Sequence, residues 1–182
     1  MTAAPRFLVL CASTRPGSLN RRLAETAAHR LESEGAEVRL VDLDDYAVPL
    51  YRGGIELVDG IAEGARRFAA DLERHDGLVL VSPEYNHSMP GALKNLLDWV
   101  SRIKPWPTSE VPALLMSASP GALGGARGLA ALRITLASNG MHVLDTEFAL
   151  PAADRALTGH GFAEPEEDDR LDAAVKALLA AV

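Results

Sequence analysis

The sequence lacks the features of a disulfide-stabilised, metal-binding or membrane-spanning protein. It contains one cysteine, Cys11, so no disulfide can form within the chain and an iron–sulfur cluster would lack ligands. The five histidines are scattered and no HExxH motif occurs, so we predict no metal site. No apolar run reaches the roughly 20 residues that a membrane-spanning helix needs, and the opening residues MTAAPRF lack the apolar region of a signal peptide. We therefore expect a cytoplasmic protein without a membrane partner.

Positive charge is also in short supply. The 182 residues carry 18 lysines and arginines against 25 aspartates and glutamates, a net charge of −7. This balance argues against binding to the phosphate backbone of nucleic acid, which needs a basic surface. The hydrophobic content of 48% is enough for one domain with a substantial core. Since no repeat, low-complexity tract or linker divides the chain, we predict a single domain over residues 1–182.

A strand, an exposed loop and a helix are predicted within Asp76–Arg102. Leu78–Val81 is a short apolar run bounded by turn residues, which is typical of a strand buried on both faces. The polar turn Ser82–Ser88 follows, and Pro90 suits the first turn of a helix because its missing N–H would be unpaired there. In an open parallel sheet such a loop lies at the carboxyl edge, where ligands bind.

The composition of this loop suits recognition of a flat heterocycle. The ring of Tyr85 offers an aromatic face, and backbone and amide groups offer hydrogen bonds to the rim of a ligand. The alternative is an ordinary surface turn, since proline, asparagine and serine are turn formers. The residues that we predict to line a ring are Pro83, Glu84, Tyr85 and Asn86.

The loop after the first strand has the donors of a phosphate site. It holds short hydroxyl and amide side chains, the guanidinium of Arg15 and a glycine, and it leads into a helix whose N–H groups are free. The alternative is that Ser18 merely caps this helix. The patterns of a dinucleotide fingerprint and of a P-loop are both absent, which disfavours those two sites. The predicted residues are Ser13, Thr14, Arg15, Gly17, Ser18, Leu19 and Asn20.

A third loop rich in glycine follows the fourth predicted strand. Its glycines allow backbone N–H groups to approach the edge of a ligand, although a flexible turn would have the same composition. The candidate residues are Ser119, Gly121, Gly124 and Gly125.

Apolar runs and helical patterns alternate along the chain, which predicts a parallel sheet with helices on both faces. Asp44–Gly60 is predicted to be irregular, and to flank a bound ligand or reach a partner subunit. The predicted strands are Arg6–Ala12, Glu37–Leu43, Leu78–Val81, Val111–Ser117 and His142–Phe148. The predicted helices are Leu19–Ser33, Ile61–Arg74, Gly91–Ile103, Ala126–Asn139 and Pro165–Ala181.

Two motifs carry a resemblance to a known family. Pro-Glu-Tyr-Asn followed by Pro-Gly-Ala-Leu-Lys-Asn and Asp-Trp, together with Ser-x-Arg-x-x-Ser-x-Asn, is similar to the signature of the NADPH-dependent FMN reductase family. The resemblance spans about residues 6–180. It implies a flavodoxin-like fold, a five-stranded parallel sheet in the order 2-1-3-4-5, in which the loops after strands one and three face each other. Cys11-Ala12 departs from the pattern, because members often have a glycine before the first serine.

The resemblance also implies the cofactor and the chemistry. The phosphate of FMN would be held by Ser13, Arg15, Ser18 and Asn20. The Pro-Glu-Tyr-Asn loop would line the flavin ring, and the third loop would close its pyrimidine side. NADPH or NADH would reduce the flavin, and a flavin, quinone, azo dye or metal oxyanion would then be the acceptor. Because FMN carries the chemistry, no catalytic side chain is predicted.

Two other functions remain open on the sequence. One is a flavodoxin-type electron carrier without NAD(P)H turnover, and the other is a non-redox binding module on the same scaffold. Arg15 and the loop containing Tyr85 favour the reductase, since the phosphate loops of such carriers usually lack a positive side chain.

The helix Gly91–Ile103 has two apolar stripes. One comprises Leu93, Leu97 and Val100, and the second comprises Ala92, Leu96, Trp99 and Ile103. We predict a homodimer or homotetramer formed through the helix that carries Leu96 and Trp99, because an exposed apolar stripe marks an interface. The alternative is that Trp99 packs under a neighbouring helix or under the Asp44–Gly60 segment of its own chain.

Overall fold

A five-stranded parallel sheet forms the centre of the computed structural model, which describes residues 3–182. Its strand order is β2-β1-β3-β4-β5, as predicted, and every adjacent pair is parallel. This is the flavodoxin-like arrangement. The strands are β1 (Arg6–Cys11), β2 (Glu37–Asp42), β3 (Gly77–Val81), β4 (Pro112–Ala118) and β5 (His142–Leu150).

The alternation of side chains along each strand divides the core into two halves. In β1, Phe7 and Val9 face the side of the sheet covered by α1 and α7, whose ranges are Leu19–Ser33 and Pro165–Leu179. Leu8 and Leu10 face the other side. Because β3 and β4 are buried at every residue, their apolar runs lack the polar alternation of a half-exposed strand.

All five predicted helices are present, with ends displaced by at most a few residues. The second face of the sheet is covered by three of them, α3, α4 and α5. In residues 3–182 no helix has the length and apolarity to cross a membrane. The helices not yet given are α2 (Gly53–Asp59), α3 (Glu63–Glu73), α4 (Gly91–Val100), α5 (Ala126–Ser138) and α6 (Ala153–Ala156).

The prediction of an irregular Asp44–Gly60 segment was wrong in part. A 3₁₀ turn covers Leu43–Tyr46, and α2 lies within the segment. The sequence pattern of this segment does not predict α2, because the helix is short and begins with two glycines. Tertiary contacts stabilise the helix. Glu56 of α2 accepts hydrogen bonds from the Tyr51 hydroxyl at 2.7 Å and from Nε of Arg102 at 3.0 Å. These two donors, Tyr51 first, hold the pKa of Glu56 below its usual range.

A second omission lies between β5 and α7. This connection contains α6 and a two-stranded antiparallel hairpin, β6 (Leu157–Thr158) and β7 (Gly161–Phe162). Two-residue strands are too short to show an alternation in the sequence. The buried side chains of Leu157 and Phe162 join the core on the α1 and α7 side, so the hairpin extends that half of the core.

The second stripe of α4 is covered by its own chain. Trp99 is 0% exposed, and its Nε1 donates a hydrogen bond to the Pro49 carbonyl at 2.8 Å. Its ring packs edge-on against the ring of Tyr51, with 5.0 Å between the ring centroids. Leu96 is buried as well. The alternative named above, in which Trp99 packs under the Asp44–Gly60 segment, is therefore the arrangement in the structure. The exposure that motivated pairing through Leu96 and Trp99 is absent.

A close backbone approach fixes the 3₁₀ turn against α3 and gives a test of the fold. A Cβ at Gly64 would lie 2.6 Å from the Tyr46 carbonyl oxygen and nearer still to that of Ala47. We expect Gly64→Ala to lower the free energy of unfolding by about 1–3 kcal/mol. Gly91→Ala is the matched control, because a Cβ there meets nothing within 4 Å. Urea unfolding measures both, and equal stabilities would show that the approach is looser than described.

Candidate cofactor-binding site

Three loops meet in one cleft at the carboxyl edge of the sheet. They follow β1, β3 and β4, so the predicted convergence of the loops after β1 and β3 is present. An adjoining pocket shares Glu84 and Ser119 with the cleft. Thr14, Gly17 and Asn86 line neither pocket and lie exposed on the same loops. The cleft is lined by Ser13, Arg15, Ser18, Leu19, Asn20, Pro83, Glu84, Tyr85, Ala118, Ser119 and Pro120, and the adjoining pocket also by Gly121, Ala122, Leu123, Gly124 and Gly125.

The loop between β1 and α1 presents unused donors. Within residues 3–182 nothing accepts a hydrogen bond from the backbone N–H groups of Thr14, Arg15, Gly17 or Ser18, and the Arg15 side chain has neither a hydrogen bond nor an ion pair. These groups lie at the positive end of α1. Free N–H groups, a helix N-terminus and an unpaired guanidinium together fit a phosphate monoester. The residues present are therefore compatible with the phosphate of FMN.

Ser18 and Asn20 have structural tasks in this loop. The Ser18 hydroxyl caps α1 by accepting from the Asn20 N–H at 3.1 Å. The Asn20 amide donates to the Ala118 carbonyl and accepts from the Ala118 N–H, both at 2.9 Å. The side chain thus ties α1 to the end of β4, while the second N–H of Nδ2 has no partner within residues 3–182. The contribution of Asn20 to a phosphate site stays a prediction.

The loop after β3 is a tight hairpin. Tyr85 and Ser88 exchange backbone hydrogen bonds of 2.8 and 3.0 Å, and the residues between them, Asn86 and His87, have φ of 50° and 63°. Two successive left-handed residues are typical of the type I′ turn, although neither is glycine. Such backbone persists only where its surroundings determine it. The turn carries Tyr85 beside the cleft with 48% of its surface exposed.

Glu84 serves the structure as well as the lining of the cleft. Its Oε2 accepts from the Gly128 N–H at 3.0 Å, in the first turn of α5. The residue at the N-cap of α5 is Gly125, which has no side chain, so Glu84 supplies the missing acceptor and a favourable charge at the helix N-terminus. We predicted Glu84 as a ring-lining residue; it reaches the cleft, with one carboxylate oxygen already occupied.

Two of the predicted glycines are required by their own chain. A Cβ at Gly124 would lie 2.7 Å from the Leu150 carbonyl carbon, and one at Gly125 would collide with Ser117 Oγ. Both residues also have positive φ. Gly121 differs, because it is exposed and a Cβ there would meet only Ser119 Oγ at 3.5 Å. Tight packing of the loop thus accounts for Gly124 and Gly125, and Gly121 remains the glycine open to a ligand.

The structure adds site residues that the motifs did not single out. Ala118 and Pro120 line the cleft beside Ser119. Arg127, on the first turn of α5, approaches His87 of the hairpin with Nη1 3.0 Å from Nδ1. The position of Arg127, two residues after the glycine pair, was the available signal, but its contact with another loop is visible only in three dimensions.

The cleft shows no metal-binding or thiol chemistry. Across the described residues no group of three or more histidine, cysteine, aspartate or glutamate side chains is placed to hold a metal ion. Cys11 lies beneath the loop after β1, and its burial raises the pKa of the thiol. A protonated, buried thiol is a poor nucleophile.

The sheet is doubly wound, and a loop suited to anions lies at its switch point. These features define a class of α/β proteins that bind a phosphate-bearing cofactor at the carboxyl edge of the sheet. The family profile described as NADPH-dependent FMN reductase matches residues 5–155. The chain belongs to this family, which confirms the predicted resemblance.

Relatives of known name agree with the family. The chain is 34% identical to NAD(P)H-dependent FMN reductase PA1204 of Pseudomonas aeruginosa over 157 residues, 86% of this chain and 83% of that protein. It is 35% identical to a quinone reductase of Escherichia coli over 128 residues. That match covers 70% of this chain and 66% of the relative, so it spans slightly less than two thirds of the relative's length.

Solved structures confirm the fold. FerB, a flavoenzyme NAD(P)H:(acceptor) oxidoreductase from Paracoccus denitrificans, superposes with a TM-score of 0.82 at 24% identity, covering 97% of this chain and 96% of FerB. A flavodoxin of Streptococcus pneumoniae superposes with a TM-score of 0.60 at 14% identity, covering 98% of this chain and all of that one. Reductase and flavodoxin share the architecture, so the fold alone does not distinguish their functions.

The Asn20 tie can be separated from a ligand contact by experiment. Asn20→Ala would leave the buried N–H and carbonyl of Ala118 unpaired, so we expect the apo protein to lose about 2 kcal/mol of unfolding free energy. Thr14→Ala, an exposed neighbour without a partner, should change it little. Chemical denaturation without FMN is the measurement. A stable apo variant that fails to bind FMN would instead make Asn20 a ligand residue.

Proposed function

We propose that this protein is an FMN-dependent oxidoreductase that takes reducing equivalents from NADPH or NADH and delivers them to a small acceptor. The observation that carries the proposal is the set of unused donors on the β1–α1 loop, with Arg15 among them, facing the Tyr85 hairpin across one cleft. A phosphate and a flat ring would be recognised on opposite walls. Relatives named NAD(P)H-dependent FMN reductase and quinone reductase support the same activity.

Each wall of the cleft has a distinct task in this proposal. Arg15 and the free N–H groups from Thr14 to Ser18 hold the phosphate. Pro83 and Tyr85 flank the ring, while the Ser119 and Gly121 segment borders its far edge. When bound, FMN supplies a ring that accepts a hydride from reduced nicotinamide and passes it on to the acceptor. The side chains bind and orient; none is required as a general acid or base.

The acceptor that fits best is a quinone. Tyr85 and Leu123 are half-exposed apolar side chains on two of the loops that form the site, and such surfaces suit a flat aromatic molecule. One relative is named 2-hydroxy-1,4-benzoquinone reductase and is 38% identical over 133 residues. Quinone reduction is therefore the acceptor chemistry that we propose. We also propose that residues 1–182 act as one cytoplasmic FMN-binding domain.

Arg15 gives the mutational test of the cofactor site. Its guanidinium would form a charge-assisted hydrogen bond with the phosphate, worth about 1.5–3 kcal/mol. We therefore expect Arg15→Ala to weaken FMN binding by about 10- to 100-fold without loss of folding. Quenching of FMN fluorescence gives the affinity. Arg74→Ala is the matched control, because Arg74 follows α3 at the opposite edge of the sheet. Unchanged affinity in a folded Arg15→Ala protein would remove Arg15 from the phosphate site.

Turnover distinguishes the reductase from the carrier. The FMN-loaded protein should oxidise NADPH continuously in the presence of benzoquinone, and the same rate should persist in Arg74→Ala. A flavodoxin-type carrier would bind FMN with Arg15 in place and yet show no steady-state oxidation of NADPH or NADH.

We further propose a homo-oligomer, with its contact on α2 and the preceding segment. Leu57 and Val58 are 88% and 84% exposed, and Leu50 lies nearby in sequence with 66% exposed. Three large apolar side chains on one short segment form a patch of the kind that marks interfaces. The segment lies over Trp99, so it occupies the region where pairing through α4 was predicted.

Light scattering at micromolar concentration tests this interface. We expect a mass above that of the 19.4 kDa chain, and a shift toward the monomer in the double variant Leu57→Glu, Val58→Glu, because two carboxylates would be desolvated on pairing. Ile134→Glu, at another exposed apolar position, on α5, is the control. A wild-type monomer would refute the oligomer, and dissociation only in Ile134→Glu would move the interface to α5.

A further inference from the structure

Three polar side chains meet beside the cleft, and two of them, His87 and Arg127, have no task in the function proposed so far. Nδ1 of His87 lies 3.0 Å from Nη1 of Arg127 and 3.3 Å from Oε1 of Glu84. His87 is on the hairpin two residues after Tyr85, and Arg127 is on α5 two residues after Gly125. Both neighbouring residues border the site, so the contact spans its rim.

The contact leaves the charge of Arg127 without a counter-ion. Nδ1 of His87 can accept from Arg127 only when it carries no proton, and a protonated Nδ1 would donate to Glu84 instead. In either state Arg127 meets an imidazole, and in the described part of the chain no carboxylate lies within 4 Å of its guanidinium. In a chain with a net charge of −7, an exposed guanidinium without an acidic partner is available to an anion.

The backbone that carries Arg127 and His87 is also held in place. Glu84 fixes the first turn of α5 through the Gly128 N–H, and Gly128 sits so close that a Cβ there would lie 3.1 Å from Glu84 Cα. The hairpin that carries His87 has two left-handed residues, and its Tyr85–Ser88 hydrogen bonds define its path. Positioning before binding lowers the entropic cost of recognising a ligand.

We propose that Arg127, oriented by His87, binds a phosphate group of the reduced nicotinamide nucleotide. The inference rests on the proposed function, because it supplies the second anion site that the function needs. Arg15 lies on the β1–α1 loop and would be occupied by the phosphate of FMN. Arg127 lies on α5, the helix after β4, and lines neither the cleft nor the adjoining pocket. The nucleotide offers two sources of this chemistry, its pyrophosphate and, in NADPH, the 2′-phosphate.

This site makes reductant affinity separable from cofactor affinity. Loss of Arg127 should weaken the binding of a phosphate-bearing nucleotide and leave FMN bound, whereas loss of Arg15 should weaken the binding of FMN. His87 is a positioning residue in this scheme. His87→Asn retains a residue type that tolerates positive φ and removes the imidazole, so it should weaken nucleotide binding less than Arg127→Ala does.

Equilibrium binding to the FMN-loaded protein tests the proposal without relying on turnover. The probes are 2′,5′-ADP, which carries a 2′-phosphate, and ADP, which carries a 5′-pyrophosphate, each titrated by calorimetry. Arg127→Ala should weaken at least one of them by about tenfold, and Arg127→Lys should weaken it less. Loss of 2′,5′-ADP binding alone identifies the 2′-phosphate, and loss of ADP binding as well identifies the 5′ phosphates.

Arg74→Ala should bind both probes as the wild type does, and raised salt should weaken the wild type more than Arg127→Ala. Wild-type protein that binds neither probe, or an Arg127→Ala protein with unchanged binding of both, overturns the proposal. So does a parallel loss of FMN affinity in Arg127→Ala, which would place this arginine in the cofactor site. Failure of the proposed function has a different signature, namely absence of NAD(P)H oxidation, whatever the probes show.

Discussion

The two-way hydrogen bond between the Asn20 amide and the backbone of Ala118 closes the cleft, and the arrangement of the other loops depends on it. Strand β3 lies between β1 and β4 in the sheet, so this bond joins the helix that follows β1 to a strand that β1 does not pair with. It fixes the start of α1 relative to the end of β4. Glu84 then ties the loop after β3 to α5 through Gly128. Together the two contacts hold three loops at one edge.

This division of labour explains which groups remain for a ligand. Asn20 and Glu84, which look like ligand contacts in the sequence, also make hydrogen bonds between loops. Arg15 and the backbone N–H groups near it have no partner in the described residues. A preorganised site needs some polar groups to form contacts between its loops, because a cleft assembled from untethered loops would lose its geometry.

The sequence predicts the parts of this protein that repeat a strong pattern. Apolar runs such as Leu78–Val81 identify the central strands, and α1 occupies the predicted range because a four-residue apolar period and Ser18 mark it. Short elements are not predicted, because α2 and the β6–β7 hairpin are stabilised by tertiary contacts and are too short to show a periodic pattern. The motifs locate the three loops. They do not reveal how side chains are shared between loops, such as the contact of Asn20 with Ala118, and they leave open whether Trp99 is covered by its own chain.

Charge pairing gives the same separation between structural and ligand-facing groups. Arg21 meets Glu25 and Asp42, and Arg30 meets Asp168 and Asp172, so these cations fasten helices to neighbouring elements. An acidic chain has carboxylates to spare for every arginine. Arg15 has no carboxylate within 4 Å in the described residues, and a carboxylate placed there would compete with a phosphate for the same guanidinium. In the proposed function an anionic cofactor would supply this counter-charge without displacing an existing partner of Arg15.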